Sequence, residues 1–112
     1  MQSKSLQTRN GNIYLVGGLQ RNEHNNENQV LRDCFLIDLR MQVVQQEKME
    51  IARFGSPLAL VHDRYILALG GFTRTNDQTM DCEAFDTLTN HWFRIYSLPY
   101  PVANTSAIVM NN

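Results

Sequence analysis

The sequence predicts an all-β fold, made of two four-stranded antiparallel units and the first strand of a third. The first observation is a repeat, because an apolar segment ends in a glycine pair at Gly17-Gly18 and again at Gly70-Gly71. The second is that no segment spaces its apolar residues three and four positions apart, as an amphipathic helix does. We therefore divide the chain into unit one (1–54), unit two (55–103) and a final strand (104–112).

The two units share a register beyond their glycine pairs. Asp33-Cys34 and Ile37-Asp38 recur as Asp81-Cys82 and Phe85-Asp86, all at an offset of 48 residues. The glycine pairs are 53 apart, so unit one carries five extra residues in the connection that follows, where added length is tolerated. A repeat of about 50 residues is typical of propellers and solenoids, whose units bury their cores against one another.

Unit one has a polar opening strand and a long polar loop, 19–32. Within that loop, residues 20–29 include no apolar side chain, so we expect it to be exposed and mobile. A short turn at 40–42 separates the last two strands. The predicted strands of unit one are 5–9, 12–18, 33–39 and 43–48.

Unit two repeats this order with clearer boundaries. A hairpin turn falls at Asp63-Arg64, a polar loop spans 72–80 and a second turn spans 87–90. Pro99 and Pro101 end the fourth strand, because proline cannot donate to an interior ladder. The predicted strands are 56–63, 65–71, 81–85 and 91–97, and residues 105–110 then resemble 58–63 starting again.

Composition limits the function classes. The 112 residues suffice for one small domain, and a formal net charge of −1 does not suggest nucleic acid or an anionic membrane as a partner. No apolar run approaches the roughly 20 residues of a spanning helix, and no basic-then-apolar leader opens the sequence. We expect a soluble, cytoplasmic chain with no cofactor and no metal, since it has no Cys-x-x-Cys or close histidine pair.

Cys34 and Cys82 occupy equivalent positions in the two units. Each lies on a predicted strand, where a small thiol packs as a hydrophobic side chain. A disulfide needs Cα atoms within about 7 Å, which equivalent positions on neighbouring units are expected to exceed. We therefore predict two buried free thiols.

Unit two resembles a kelch repeat. It has an apolar strand before Gly70-Gly71, then Phe85-Asp86, then Thr89–Trp92, then Leu98-Pro99. The kelch pattern joins a glycine pair, an aromatic residue followed by Asp, a Thr-Asn turn, a tryptophan seven residues after that aromatic residue, and a Leu-Pro or Met-Pro ending. The resemblance implies a β-propeller blade in which the glycines, Phe85 and Trp92 are structural residues.

Unit one resembles the same repeat in degenerate form. It keeps Gly17-Gly18 and Ile37-Asp38, and Met49 with Arg53 resembles the ending of the motif. Ile37 and Val44 stand where the aromatic residue and the tryptophan are expected. Isoleucine and valine suit strands, so unit one is still predicted to form a blade.

Two blades do not close a propeller ring, which takes about four to eight. We therefore expect the chain to belong to a longer propeller, or to complete a ring by assembling with other copies. The stop just after the first strand of a third unit favours the longer propeller.

The resemblance implies a protein-interaction module without catalytic residues. The loops after each second strand and those between blades are expected to share one face, which binds a protein or peptide partner. Arginines there can grip carboxylates, and aromatic side chains can anchor a partner. The predicted partner-binding residues are Arg21, His24, Arg53, Arg74 and Tyr100.

Three alternatives remain open at this point. The candidate residues are also consistent with ordinary solvated loops. The chain could be a kelch-type propeller enzyme acting on a sugar or another small molecule, although His24, His62 and His91 are scattered and form no acid-base arrangement. It could also be a scaffold piece of a cytoskeletal assembly, and a role as a ubiquitin ligase adaptor is implied for some members of the family.

Overall fold

The structure is a computed structural model that describes residues 3–25, 27–74, 77–103 and 108–110. Among these residues it has thirteen strands and no helix. The strands are β1 (Lys4–Gln7), β2 (Ile13–Val16), β3 (Leu19–Asn22), β4 (Glu27–Val30), β5 (Cys34–Ile37), β6 (Val43–Gln45), β7 (Leu58–Val61), β8 (Tyr65–Leu69), β9 (Phe72–Arg74), β10 (Asp77–Gln78), β11 (Cys82–Asp86), β12 (His91–Ile95) and β13 (Ile108–Met110).

The main strands form two sheets that follow the predicted units. Blade 1 has the order β1-β2-β5-β6, and blade 2 has the order β7-β8-β11-β12 with β13 added beside β7. Within each blade the four main strands are antiparallel to their neighbours. The predicted all-β class with two four-stranded antiparallel blades is confirmed.

The final strand pairs differently from the others. β13 runs parallel to β7, with Ile108 opposite Ala59 and Met110 opposite Val61. It therefore extends the sheet of blade 2, and its assignment to a third blade stays a prediction. Residues 104–107 and 111–112 of the predicted final segment lie outside the described part of the chain.

The two predicted polar loops contain strands of their own. In the segment 19–32, β3 and β4 pair from Leu19–Val30 to Asn22–Glu27, and in the segment 72–80 β9 pairs with β10. The prediction that these segments are loops was wrong, because two polar strands satisfy each other's backbone groups even where neither buries a face. The predicted exposure is confirmed for residues 20–25 and 27–29.

The core lies between the two blades. Alternate residues of blade 1 point toward blade 2, among them Leu6, Tyr14, Val16 and Cys34, and all are buried. From blade 2 they meet Leu58, Leu60, Ile66, Ala68 and Phe85. Both cysteines are buried and free, as predicted.

The kelch motif residues fill this junction. The ring of Phe85 is completely buried, with its centroid 5.1 Å from that of Trp92 and 5.9 Å from that of Tyr14. Phe85 and Trp92 are directly opposite each other on β11 and β12. The two motif aromatics thus pack between the blades, which is a structural role of the kind that the resemblance implied.

One equivalence predicted for blade 1 was wrong. The residue opposite Ile37 is Val43, so Val43 rather than Val44 takes the position of Trp92. The turn of blade 1 is one residue shorter, because Asp38 pairs with Gln42 there whereas Asp86 pairs with His91 in blade 2. The offset between equivalent residues therefore grows from 48 before the turn to 49 after it.

Candidate partner-binding face

The glycine pairs create one edge of the molecule with the same backbone bonds in both blades. Gly17 N–H donates to the Asp33 carbonyl (2.8 Å) and Gly70 N–H to the Asp81 carbonyl (3.2 Å). All four paired glycines have positive φ, and a Cβ on Gly71 would collide with Ser56. Glycine is required here because other residues resist that conformation and the neighbouring backbone approaches closely.

Both polar ribbons rise from this edge. At the base of the β3–β4 ribbon, Leu31 N–H donates to the Gly18 carbonyl and Gly18 N–H to the Arg53 carbonyl, each at 2.9 Å. The next residue, Phe54, exchanges two backbone hydrogen bonds with Phe72 at the base of the β9–β10 ribbon. The ring centroids of Phe54 and Phe72 are 5.2 Å apart. The two ribbons and the segments 50–57 and 96–103 together form what we call the loop face.

The β3–β4 ribbon carries a polar groove of about 370 Å³. Its lining includes a guanidinium, an imidazole, a carboxylate and several amides, so hydrogen-bond donors and acceptors lie side by side. The lining residues are Gln20, Arg21, Asn22, Glu23, His24 and Gln29. The structure thus brings together two predicted partner-binding residues, Arg21 and His24.

Two further predicted residues are exposed elsewhere on the loop face. Arg74 ends β9, and its Nε lies 3.9 Å from Asp77 Oδ2 across the second ribbon. Tyr100 follows β12 in the segment 96–103, and 67% of its surface is exposed. Both side chains are accessible to a partner, but neither lines the groove beside Arg21.

Arg53 has a different place from the one predicted. Its side chain is only 1% exposed, and its guanidinium donates to Glu83 Oε2 at 2.9 Å and to the carbonyls of Gly70 (3.0 Å) and Asp81 (2.7 Å). Arg53 lies in the segment between β6 and β7, and its charge is paired with that of Glu83 inside the protein. Arg53 therefore holds the two blades together and presents no group at the surface.

Glu83 is the residue of this junction that the sequence analysis missed. Its two carboxylate oxygens accept N–H bonds from Glu50 (2.7 Å) and Ile51 (3.0 Å), in addition to Arg53. A buried carboxylate with three donors is fully paired, which is how proteins accommodate such a charge. The signal in the sequence was a charged residue between the apolar residues Cys82 and Ala84 of the predicted strand 81–85.

A second polar link joins the blades at their outer rim. Glu47 accepts from the Trp92 backbone N–H (3.0 Å) and lies 2.6 Å from His91 Nδ1, while the Trp92 indole N–H donates to the Glu47 carbonyl. The Trp92 amide, followed by the His91 ring, lowers the pKa of the Glu47 carboxyl. This link holds Trp92 over the core from the side of the preceding blade.

The opposite edge of blade 2 has an arginine clamp. Arg64 binds Asp86 with two parallel bonds of 3.0 and 2.9 Å, and its guanidinium lies 4.9 Å from the centre of the Tyr65 ring. The Arg64 bond lowers the pKa of the Asp86 carboxyl to about 2, and the amide of Leu88 contributes. Because Asp86 also accepts from the Leu88 amide at 3.0 Å, the clamp joins the β7–β8 turn to the β11–β12 turn.

The structure offers little chemistry elsewhere in its described part. Within residues 3–25, 27–74, 77–103 and 108–110, no three His, Cys, Asp or Glu side chains are placed to hold a metal ion. Burial raises the pKa of the Cys34 thiol to about 12, which makes it a poor nucleophile. No helix in the same residues is long and apolar enough to cross a membrane.

Comparison with known proteins agrees with this architecture. Residues 53–99 match the model of the Kelch motif. Among solved structures, the chain is similar to the structure of YjhT, with a TM-score of 0.73 and 17% sequence identity. The match covers 91% of this chain and 39% of that one, so the chain spans about two fifths of its length. No curated protein matches the sequence.

Proposed function

We propose that these two propeller blades, the second of which is a kelch repeat, form a protein-interaction module that binds a protein or peptide partner through the loop face and catalyses no reaction. The observation that carries the proposal is the β3–β4 ribbon. It is tied at its base to the blade junction, yet its polar side chains are exposed and add nothing to the core. Binding residues are commonly found on such segments, which a rigid scaffold positions.

The groove on the ribbon supports a peptide as the ligand class. A peptide offers backbone donors and acceptors together with charged side chains, and the groove offers both kinds of partner along with Arg21 and His24. Recruitment of the partner to a ubiquitin ligase or to a cytoskeletal assembly would use the same face, and both roles stay predictions.

The proposal is tested by selecting linear peptides from a random phage-displayed library on the purified chain and measuring their affinity by calorimetry. The double variant Arg21→Ala/His24→Ala should weaken the selected peptides by about tenfold or more, as expected when two anchoring side chains are lost. The matched control is Arg40→Ala/His62→Ala, which removes an arginine and a histidine from turns outside the loop face.

The control variant should retain affinity within about twofold, a loss of no more than roughly 0.4 kcal/mol. Circular dichroism spectra of both variants should match the unmodified chain. Failure to select any peptide, or equal losses in the two double variants, would overturn the proposal.

A further inference from the structure

We propose that copies of this chain associate head to tail, with the outer face of blade 2 of one copy packed on the outer face of blade 1 of the next, and that they close a ring. The outer face of blade 1 is formed by Ile13, Leu15, Phe35, Ile37 and Val43. The outer face of blade 2 is formed by Val61, Tyr65, Leu67, Ala84, Phe93 and Ile95. This contact uses the outer sheet faces together with Tyr96 and Val102 of the segment 96–103, and it goes beyond the proposed function.

The repeat explains why these two faces fit each other. Tyr14, Val16 and Cys34 of blade 1 form the surface that blade 2 covers. Their counterparts in blade 2 are Leu67, Leu69 and Cys82, which share one side of β8 and β11 and point away from blade 1. The outer face of blade 2 therefore corresponds to the face of blade 1 that blade 2 covers. The outer face of blade 1 corresponds to the face of blade 2 that packs on blade 1.

The outer face of blade 2 is apolar in the single chain. It carries a shallow groove of about 270 Å³ lined by aliphatic and aromatic side chains, among them Tyr65 and Phe93 in edge-to-face contact with ring centroids 6.2 Å apart. Contiguous apolar surface of this kind marks an interaction site in soluble proteins. The occupant is indicated by two positions at which the chain's own ends complement each other.

The first position corresponds to the buried Arg53–Glu83 pair. Gly71 binds the Val102 carbonyl as Gly18 binds the Arg53 carbonyl, so Val102 is the counterpart of Arg53. Phe35 is the counterpart of Glu83, because each occupies the second position of its strand opposite the equivalent residue of the neighbouring strand. Head-to-tail docking brings Val102 of one copy to Phe35 of the next, so an ion pair within the chain becomes an apolar pair between copies.

The second position corresponds to the link from Glu47 to Trp92. Tyr96 is the counterpart of Glu47 and is 97% exposed, while Val43 is the counterpart of Trp92 and is 63% exposed. The same docking places Tyr96 against Val43. At the first position both charged residues are replaced by apolar ones, and at the second the glutamate that faces the tryptophan is replaced by a tyrosine that faces a valine, as expected if the two ends contact each other.

The contact is heterologous, and such contacts form rings when the rotation closes. Two, three or four copies supply about four, six or eight blades, the range in which propellers close. The β1 strand of the incoming copy approaches the edge of β7 that β13 occupies in the single chain, just as β7 contacts β1 within it. Assembly therefore displaces β13 from β7.

The test is the molar mass of the full chain by size-exclusion chromatography with light scattering. The unmodified chain should run as one species of two to four times 12.9 kDa. Val102→Arg or Phe35→Glu should each reduce the mass to that of one chain, because each leaves an unpaired charge in the contact. The double variant Val102→Arg/Phe35→Glu recreates the Arg53–Glu83 arrangement between copies and should restore the oligomer.

Tyr96→Arg provides a variant that cannot disturb the fold of the single chain, since its side chain is almost fully exposed. It should also yield single chains, whereas the control Gln20→Arg, which adds the same charge on the β3–β4 ribbon, should not. A folded single chain of 12.9 kDa at every concentration, a polydisperse aggregate, or a double variant no more oligomeric than its parents would overturn the proposal.

Discussion

Blade 1 and blade 2 have the same strand order and the same backbone hydrogen bonds at their glycine pairs, and they differ in the side chains on their sheet faces. Both close their glycine pairs with the same hydrogen bonds, to Asp33 and Arg53 in blade 1 and to Asp81 and Val102 in blade 2. Only blade 2 has the aromatic pair of the kelch motif. The comparison teaches that the glycines and strand order make a blade, whereas the aromatic residues make its contact with the blade before it.

The position of each blade explains this division. Phe85 and Trp92 point toward blade 1, where they meet Tyr14 and the segment around Glu47. Their counterparts Ile37 and Val43 point away from blade 2, and Val43 is largely exposed. The degenerate side of the repeat is thus the side that the single chain leaves uncovered.

Removing the central aromatic residue, Phe85, should give the largest difference in stability between equivalent variants of the two blades. Phe85→Ala removes a fully buried ring from the junction and should lower the free energy of unfolding by about 3–5 kcal/mol. The equivalent change Ile37→Ala lies on the outer face and should cost less than about 2 kcal/mol. Urea unfolding followed by circular dichroism measures both losses. Similar losses in the two variants would show that Ile37 and Phe85 contribute equally to stability.

The buried charge at the junction should have the next largest effect. Glu83→Gln removes the charge that faces Arg53 and should cost about 3 kcal/mol, because an uncompensated guanidinium remains buried. The control Glu50→Gln removes a carboxylate from an exposed pair with Arg94 and should change stability by less than about 0.5 kcal/mol. A loss at Glu83 as small as the control would mean that Arg53 is satisfied by the carbonyls alone.

The Arg64–Asp86 clamp should make the stability of blade 2 depend on pH. The Arg64 bond holds the pKa of Asp86 at about 2, below the ordinary value of about 3.9. A carboxyl group whose pKa is lowered in the folded state stabilises the fold fully above its ordinary pKa. It loses that contribution as the pH falls toward 2. Asp86→Asn should therefore flatten the stability profile between about pH 4 and pH 2.

The matched variant for this test is Asp38→Asn in blade 1. The Asp38 carboxylate accepts from the backbone amides of Arg40 and Gln42 within its own turn. Thermal unfolding across that pH range should show a smaller change for it than for Asp86→Asn. The reverse order would mean that the arginine contributes less than the turn amides.

The smallest effect is expected at the outer rim. Glu47 is partly exposed, so Glu47→Gln should lower the free energy of unfolding by less than about 1 kcal/mol. Because the pKa of Glu47 is lowered in the folded protein, its contribution to stability is present above the ordinary glutamate pKa and is lost as the pH falls. Trp92 is the single tryptophan of the chain, so its fluorescence reports this contact directly. The emission maximum should shift toward longer wavelength in the variant, while Lys48→Gln, beside it, should leave the emission unchanged.

Much of the architecture was predictable because the repeat consists of glycines, turn residues and alternating strand residues whose structure depends on their neighbours in the sequence. Positive φ at Gly70 and Gly71, the turn at 87–90 and the alternation of 65–69 each follow from the residues themselves. The strand order then follows from reading the two units together. The candidate site was predictable only in part, as Arg21, His24, Arg74 and Tyr100 lie at the surface but Arg53 does not.

The sequence by itself determined the two four-stranded antiparallel blades and the residues that the kelch motif requires. The tertiary structure decided that β3 and β4 pair as a ribbon, that Val43 takes the place of Trp92, and that Arg53 is buried against Glu83. The physical reason is one of distance along the chain. Turns and strands depend on neighbouring residues, whereas the partner of a charge 30 residues away depends on how two sheets pack.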